Sequence, residues 1–237
     1  LTRRYHGAPA VESLRKFLSP EKLWPGHGNA EWIAHCTTPV YTYRIELMYR
    51  QIREFFGIEP QTIEEFVAAS QIVQAEAKKF FVENVRAHKW RKSGILWWNV
   101  MDCWPQFSDA VVDYYFNRKL AFDYIRRSQK PLQVILGEWA DWGHRVIVTN
   151  DTLAPVKGSV TVSDADTGET LFDGNFEVPA NANAEAGRFD LPNGEQRLLL
   201  LRFEAGTLSG ANHYLTGHPP YSLEQYLGWR EKIAALG

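Results

Sequence analysis

The chain has 237 residues, enough for one large domain or two of ordinary size, and 45% of them are hydrophobic and 23% charged. A net charge of -2 excludes a global electrostatic pull toward nucleic acid or an anionic membrane. No apolar run approaches the roughly 20 residues that span a bilayer, and Leu1-Thr-Arg-Arg lacks the apolar core of a signal peptide.

The first 130 residues read as mostly helical. Val11 to Leu18 is a short helix that stops before Ser19-Pro20, and Leu23 to Asn29, with Pro25, Gly26 and Gly28, is a loop. Ala30 to Cys36 and Thr42 to Phe56 follow as helices, the second ending at Gly57 as a C-cap. Gln61 to Lys89 is the longest helical pattern. It opens on a capping-box pair, Thr62 and Glu65, and carries Ile63, Phe66, Val67, Val73, Ala77, Phe80, Phe81 and Val85 near helical spacing. The basic run Arg86 to Lys92 reads as a solvated helix end. Gly94 to Asn99 is a short apolar strand, followed by a Trp-rich loop containing Pro105 and a helical segment from Asn117 to Ser128.

Composition shifts near Pro131. Seven β-type runs follow: Leu132–Leu136, Arg145–Thr149, Ser159–Ser163, Glu169–Val178, Gly187–Leu191, Arg197–Phe203 and Leu208–Tyr214. Asn150-Asp151, Asp166-Thr-Gly168, Asp173-Gly174 and Asn193-Gly194 supply turn chemistry between them. That spacing predicts a β-sandwich, closed by an amphipathic helix from Leu223 to Leu236. Cys36 and Cys103 lie far apart without metal-ligand spacing and read as two buried free thiols, a disulfide being the alternative. Unpaired cysteines favour a cytoplasmic location. Nine Trp and ten Tyr suit a carbohydrate binder, because their faces cover the C–H face of a pyranose, but they suit a large core equally.

Trp98, Asp102, Trp104-Pro105, Asp113-Tyr114-Tyr115, Lys119, Ala121 and Tyr124 together resemble the last barrel strand and following helix of glycoside hydrolase family 2, in its β-mannosidase-like branch. Tyr5-His-Gly-Ala-Pro, with Glu12-Ser-Leu and Phe17-Leu, is similar to the stretch after strand seven of that branch. Val148-Thr-Asn-Asp-Thr-Leu-Ala-Pro is similar to the start of its post-barrel sandwich. The resemblance implies an α/β plus all-β chain: residues 1–130 would be the last units of a (β/α)8 TIM barrel, and residues 131–237 an immunoglobulin-like β-sandwich with a C-terminal helix. A closed barrel needs eight strands and this sequence offers one, so the reading is of the tail of a larger enzyme.

Retaining glycosidases of this kind use two carboxylates about 5–5.5 Å apart. The resemblance implies an acid/base on strand four, upstream of this sequence, and a nucleophile at the position that Thr2 occupies, with Arg4 where a glycine is expected. Thr2 has no carboxylate, so no residue of the chain is assigned a catalytic role. The substrate-facing shell it implies is Trp98 as the stacking platform, Asp102 at the strand end, Trp104 lining an outer subsite, and Tyr5 and His6 at the rim. Trp97, facing the other way along the strand, should pack under helices. Asp102 could bind sugar hydroxyls or orient a neighbouring side chain, and could equally cap its loop, and Asp113 should cap the helix lead-in. No cofactor or metal is expected. The implied partners are a carbohydrate, with β-mannosides favoured, and the rest of the same enzyme. The competing expectation is a non-catalytic carbohydrate-binding or scaffold piece. A nucleic-acid binder is poorly supported, because no basic stripe interleaves with the aromatics.

Overall fold

The computed structural model describes residues 5–36 and 40–237, which divide into two compact units. One comprises Leu1–Phe80 and Leu96–Arg126, and the other Phe81–Ile95 and Arg127–Gly237. The expected nucleophile position, Thr2, and Arg4 lie outside the described residues. No helix among the described residues is long and apolar enough to cross a membrane.

The first unit is helical. Its elements are α1 (Val11–Leu14), α2 (Ala30–Ala34), α3 (Arg44–Phe56), α4 (Ile63–Ala87, as far as Phe80) and most of α5 (Leu120–Ser128). Local chemistry sets the ends. Asn29 caps α2 by accepting from the Glu31 N–H at 3.1 Å, and its amide donates back to the Lys22 and Pro25 carbonyls. Gly57 closes α3 at φ 69°, a left-handed conformation that costs glycine little. At the head of α4, Thr62 Oγ1 accepts from the Glu65 N–H and the Glu65 carboxylate accepts from the Gln61 N–H. The core is aromatic. Trp32 stacks on Phe107 with centroids 4.6 Å apart and tilts against Phe66 at 5.3 Å, while Tyr49 meets Phe66 at 4.7 Å.

The expected strand Gly94–Asn99 is not a strand here. The segment makes no backbone–backbone hydrogen bond among the described residues, although exposure alternates with period two from Ile95 to Val100. An extended segment becomes a strand only when a neighbour takes its N–H and C=O groups. No such neighbour lies beside it among the described residues. The pairing begins just after it, where Val112 bridges Met101 in parallel and Val112 N–H donates to Val100 O at 2.9 Å.

The second unit is a β-sandwich. β1 (Leu132–Leu136), β2 (Gly143–Asn150) and β5 (Ala182–Asp190) form one sheet in the order β1-β2-β5. β3 (Val156–Asp164), β4 (Thr170–Val178), β6 (Leu198–Ala205) and β7 (Leu208–Leu215) form the other, in the order β4-β3-β6-β7, and every pairing is antiparallel. The inward residues of both sheets, among them Val134, Val148, Val162, Val178, Leu199 and Leu201, form one core. A bulge between Val146 and Ile147 is matched by Gly187, at φ 155°, where any Cβ would strike the Phe172 ring. α6 (Leu223–Ala234) buries Leu223, Tyr226, Trp229 and Ile233, and its Trp229 indole and Lys232 ammonium both donate to the Asp166 carboxylate.

Two expectations are corrected in this part of the structure. The basic run after α4 is not simply a solvated helix end: Arg86 donates to Asp151 Oδ2 at 2.9 Å, and Lys89 reaches Asp151 Oδ1 and the Asn150 carbonyl. Asp151 and the carbonyl are acceptors for donors that helical periodicity alone assigns to water. Cys36 is buried but Cys103 is exposed, and both are free. Cys103 follows Asp102 in a turn that sends the Asp102 carboxylate inward and leaves the thiol outside.

Residues 81–95 belong to the sandwich unit through specific bonds. The Glu83 carboxylate accepts from Asn212 Nδ2 at 2.7 Å, and Asn183 Nδ2 donates to the Arg86 carbonyl at 2.7 Å. Glu83→Ala strips a buried amide of its charged acceptor and should destabilise the protein by about 1.5–3 kcal/mol in urea denaturation. An unchanged midpoint would show that the bond contributes nothing.

Candidate functional site

The residues singled out from the sequence lie in the helical unit, where the loop from Asp102 to Asp113 folds over α4 residues. Trp98 is 74% exposed, with its ring outward and its carbonyl accepting from Lys78 Nζ at 3.0 Å. Trp97 turns the other way, and the Lys78 ammonium lies 5.0 Å over its ring. Lys78 therefore grips both tryptophans, one by its carbonyl and one by its face. Trp104 is half-buried and stacks on His35, with centroids 5.8 Å apart. Tyr5 is half-buried, and His6 is fully buried.

Asp102 points inward. Its Oδ1 accepts from Gln106 Nε2 at 2.8 Å and from Ser108 Oγ at 2.6 Å, so the carboxylate braces its own loop. Its Oδ2 faces Lys119 Nζ at 4.0 Å, and that ammonium donates to the Gly7 carbonyl at 2.7 Å. Burial pushes the Asp102 carboxyl up, against the opposing pull of Lys119 and the two hydrogen bonds. Burial also pushes the Lys119 ammonium down, with Asp102, Asp113 and Asp109 opposing.

His6 Nε2 meets Asp109 Oδ1, while His6 Nδ1 has no hydrogen-bond partner among the described residues. Burial drives the imidazole down, with the Asp109 contact opposing. Burial raises the Asp109 carboxyl, but the His6 hydrogen bond and the charges of His6, Arg44 and Lys78 outweigh it and hold it low. Asp113 accepts at Oδ1 from the Tyr115 and Asn117 N–H groups. It caps a turn, whereas α5 begins only at Leu120, three residues past the expected Asn117. The helix starts later because the Asp113 turn ends in Phe116 at φ 66°.

Sequence reasoning reached Asp102 and His6 but missed what meets them: Gln106, Ser108 and Lys119 at Asp102, and Asp109 at His6. One signal was present. Lys78 follows Gln74 by one helical turn on a face that also carries the buried Ala75 and Val82, and a charged residue there needs a buried partner. Among the described residues no group of His, Cys, Asp and Glu could hold a metal ion.

Burial lowers Lys78 to about 8 from an ordinary 10.5, with Asp109 opposing. Between those values the unfolded chain binds more protons than the folded one, so stability should rise with pH across that window. Denaturation of the wild type and Lys78→Met should diverge there in favour of the wild type, and parallel pH profiles would contradict the burial of a charged lysine.

No protein-family model matches the chain. β-Mannosidase B of Aspergillus flavus is 38% identical over 85 residues, covering 34% of this chain and 10% of the relative. The Emericella nidulans β-mannosidase B is 36% identical over the same length. The chain thus spans about a tenth of the length of the curated relatives it matches. Among solved structures, the β-D-mannosidase of Dictyoglomus thermophilum superposes with a TM-score of 0.77 at 25% identity, over 92% of this chain and 27% of that one. An exo-chitosanase of Amycolatopsis orientalis shares the fold with a TM-score of 0.66 at 16% identity, over 89% of this chain and 26% of its own. In sequence and in fold, the chain is similar to the C-terminal part of a β-mannosidase of the glycoside hydrolase family 2 type.

Proposed function

We propose that this chain is the C-terminal part of a retaining exo-β-glycosidase acting on terminal β-linked sugars, with β-mannosides the favoured substrates. The observation that carries the reading is the fold match to a β-D-mannosidase over 92% of the chain, joined to 38% identity with a β-mannosidase B. On this reading α3, α4, Gly94–Asn99 and α5 are closing units of a TIM barrel, and 131–237 is its immunoglobulin-like follower. The period-two exposure from Ile95 to Val100 supports it, being the imprint of a strand whose partners are other barrel strands.

The chemistry this chain supplies is positional. The exposed indole of Trp98 is a floor on which a pyranose C–H face can lie while the ring flattens toward its oxocarbenium-like transition state. Lys78 fixes that floor through the Trp98 carbonyl. Trp104, stacked on His35, extends the aromatic wall, and the buried Asp102 keeps the loop between them in shape. Tyr5, half-buried, follows the nucleophile position and belongs to the rim, whereas His6 is fully buried against Asp109 and does not reach it. The nucleophile and acid/base carboxylates come from outside the described residues, as the threonine at position 2 has none to offer. That threonine favours a second reading, a carbohydrate-binding segment without hydrolytic activity.

The test is an assay of the natural full-length polypeptide against aryl β-mannoside, β-glucosaminide, β-galactoside and β-glucuronide. Preferential mannoside hydrolysis with retained anomeric configuration is the expected result. Binding without hydrolysis would establish the second reading, and neither would sink both. In an active enzyme, Trp98→Ala should lower kcat/KM for the aryl β-mannoside by about 10–100-fold, the worth of one lost stacking contact. Its melting temperature should hold, because the ring is exposed.

A further inference from the structure

The hairpin tip between β1 and β2 carries a residue that neither folding nor solubility asks for. Gly143 N–H donates to Ala140 O at 3.1 Å and Ala140 N–H donates to Gly143 O at 3.0 Å, which closes a two-residue tip of Asp141 and Trp142. Both have positive φ, 49° and 71°, as a type I′ turn requires. The second such position strongly prefers glycine, and a bulky side chain there is a steric outlier. Trp142 occupies it with its side chain thrown into solvent, 79% exposed. The sequence therefore accepts both backbone strain and an exposed indole at one point, and the folded state gains little from either.

The tip is held rigidly. Arg188 Nη2 donates to the Ala140 and Asp141 carbonyls, Leu191 N–H donates to the Trp142 carbonyl at 3.2 Å, and Trp139 Nε1 donates to the Leu191 carbonyl at 2.8 Å. The Trp139 ring stands at 79° to that of Trp142 with centroids 6.1 Å apart. The result is a fixed right-angled corner of two indoles, rimmed by the exposed residues Glu138 and Asp141. Strain kept at a rigid exposed site points to a ligand.

We infer that this tip is a second carbohydrate site, in the sandwich unit, where Trp142 stacks on a pyranose of a β-linked polysaccharide and the Asp141 carboxylate accepts from its hydroxyls. Two rings offer far too little area for a stable protein interface, which buries about 800 Å² on each partner. Acidic rim groups repel a phosphate backbone, which disfavours nucleic acid. A pyranose presents what the corner fits, a flat C–H face edged with hydroxyl donors. The choice of a mannan as the polysaccharide rests on the function proposed above, whereas the aromatic corner does not.

Trp142→Gly separates binding from folding, because an Asp-Gly tip is the sequence a type I′ turn prefers. In the full-length protein, electrophoretic retardation in gels containing soluble β-1,4-mannan should weaken about tenfold or more. Melting temperature should rise or hold, and aryl β-mannoside hydrolysis should stay unchanged. Retardation equal to that of the wild type would overturn the inference, as would a wild-type protein that mannan does not retard at all. A clear drop in melting temperature would overturn the strain argument behind it. If the wild type is retarded, and Trp142→Gly is not, while no aryl glycoside is cleaved, the site stands and the glycosidase reading falls.

Discussion

An ammonium sealed from water must find its charge balance and its hydrogen bonds inside the protein, and the helical unit is organised around one that does. Lys119 is buried just before α5, donates to the Gly7 carbonyl and faces Asp102. Its own N–H donates to Val111 O, while Asp102 N–H donates to Val112 O. Two stretches far apart in sequence, around Gly7 and Asp102, thereby meet at one side chain, and the backbone of the same residue holds Val111. The short bridge between Gly7 and Ser108 lies in the same cluster, and Ser108 also holds Asp102. Remove the charge and the N-terminal segment, the Trp104 loop and the entry to α5 lose their common anchor.

Much of the sandwich was legible in the sequence because its signals are local. Seven alternating apolar runs separated by Asn, Asp and Gly turns became seven strands within a few residues of their expected ends. The long helix was legible for the same reason, since Thr62 and Glu65 announce its start and 3.6-residue spacing carries it forward. What resisted reading was anything set by partners distant in sequence. Nothing near Lys89 says that Asp151 will receive it, and nothing near His6 announces Asp109. The strand at Gly94–Asn99 shows the opposite failure: its local signal was sound, and its exposure still alternates, but a ladder requires a second chain segment.

The candidate site divides along the same line. Trp98, Asp102 and Trp104 were singled out together only through the motif by which they resemble glycoside hydrolase family 2. Their roles were not legible, because a carboxylate's role depends on what it faces. Asp102 spends its oxygens on Gln106, Ser108 and Lys119, so it acts on the surface only through the loop it shapes. Trp98 is the reverse case, a side chain left almost wholly outside while its backbone is gripped from within. Rigidity beneath and exposure above come here from different atoms of one residue.

The segment 94–99 carries one more consequence. A row of extended backbone whose amides and carbonyls have no strand to pair with among the described residues, and which bears Ile95, Leu96, Trp97 and Trp98, is an open template for edge-to-edge pairing. Charges that would repel a second strand are missing from these six positions; Arg91 and Lys92 before them and Asp102 after them lie outside. That bonding capacity makes this stretch the place where misassembly into cross-β aggregates would begin.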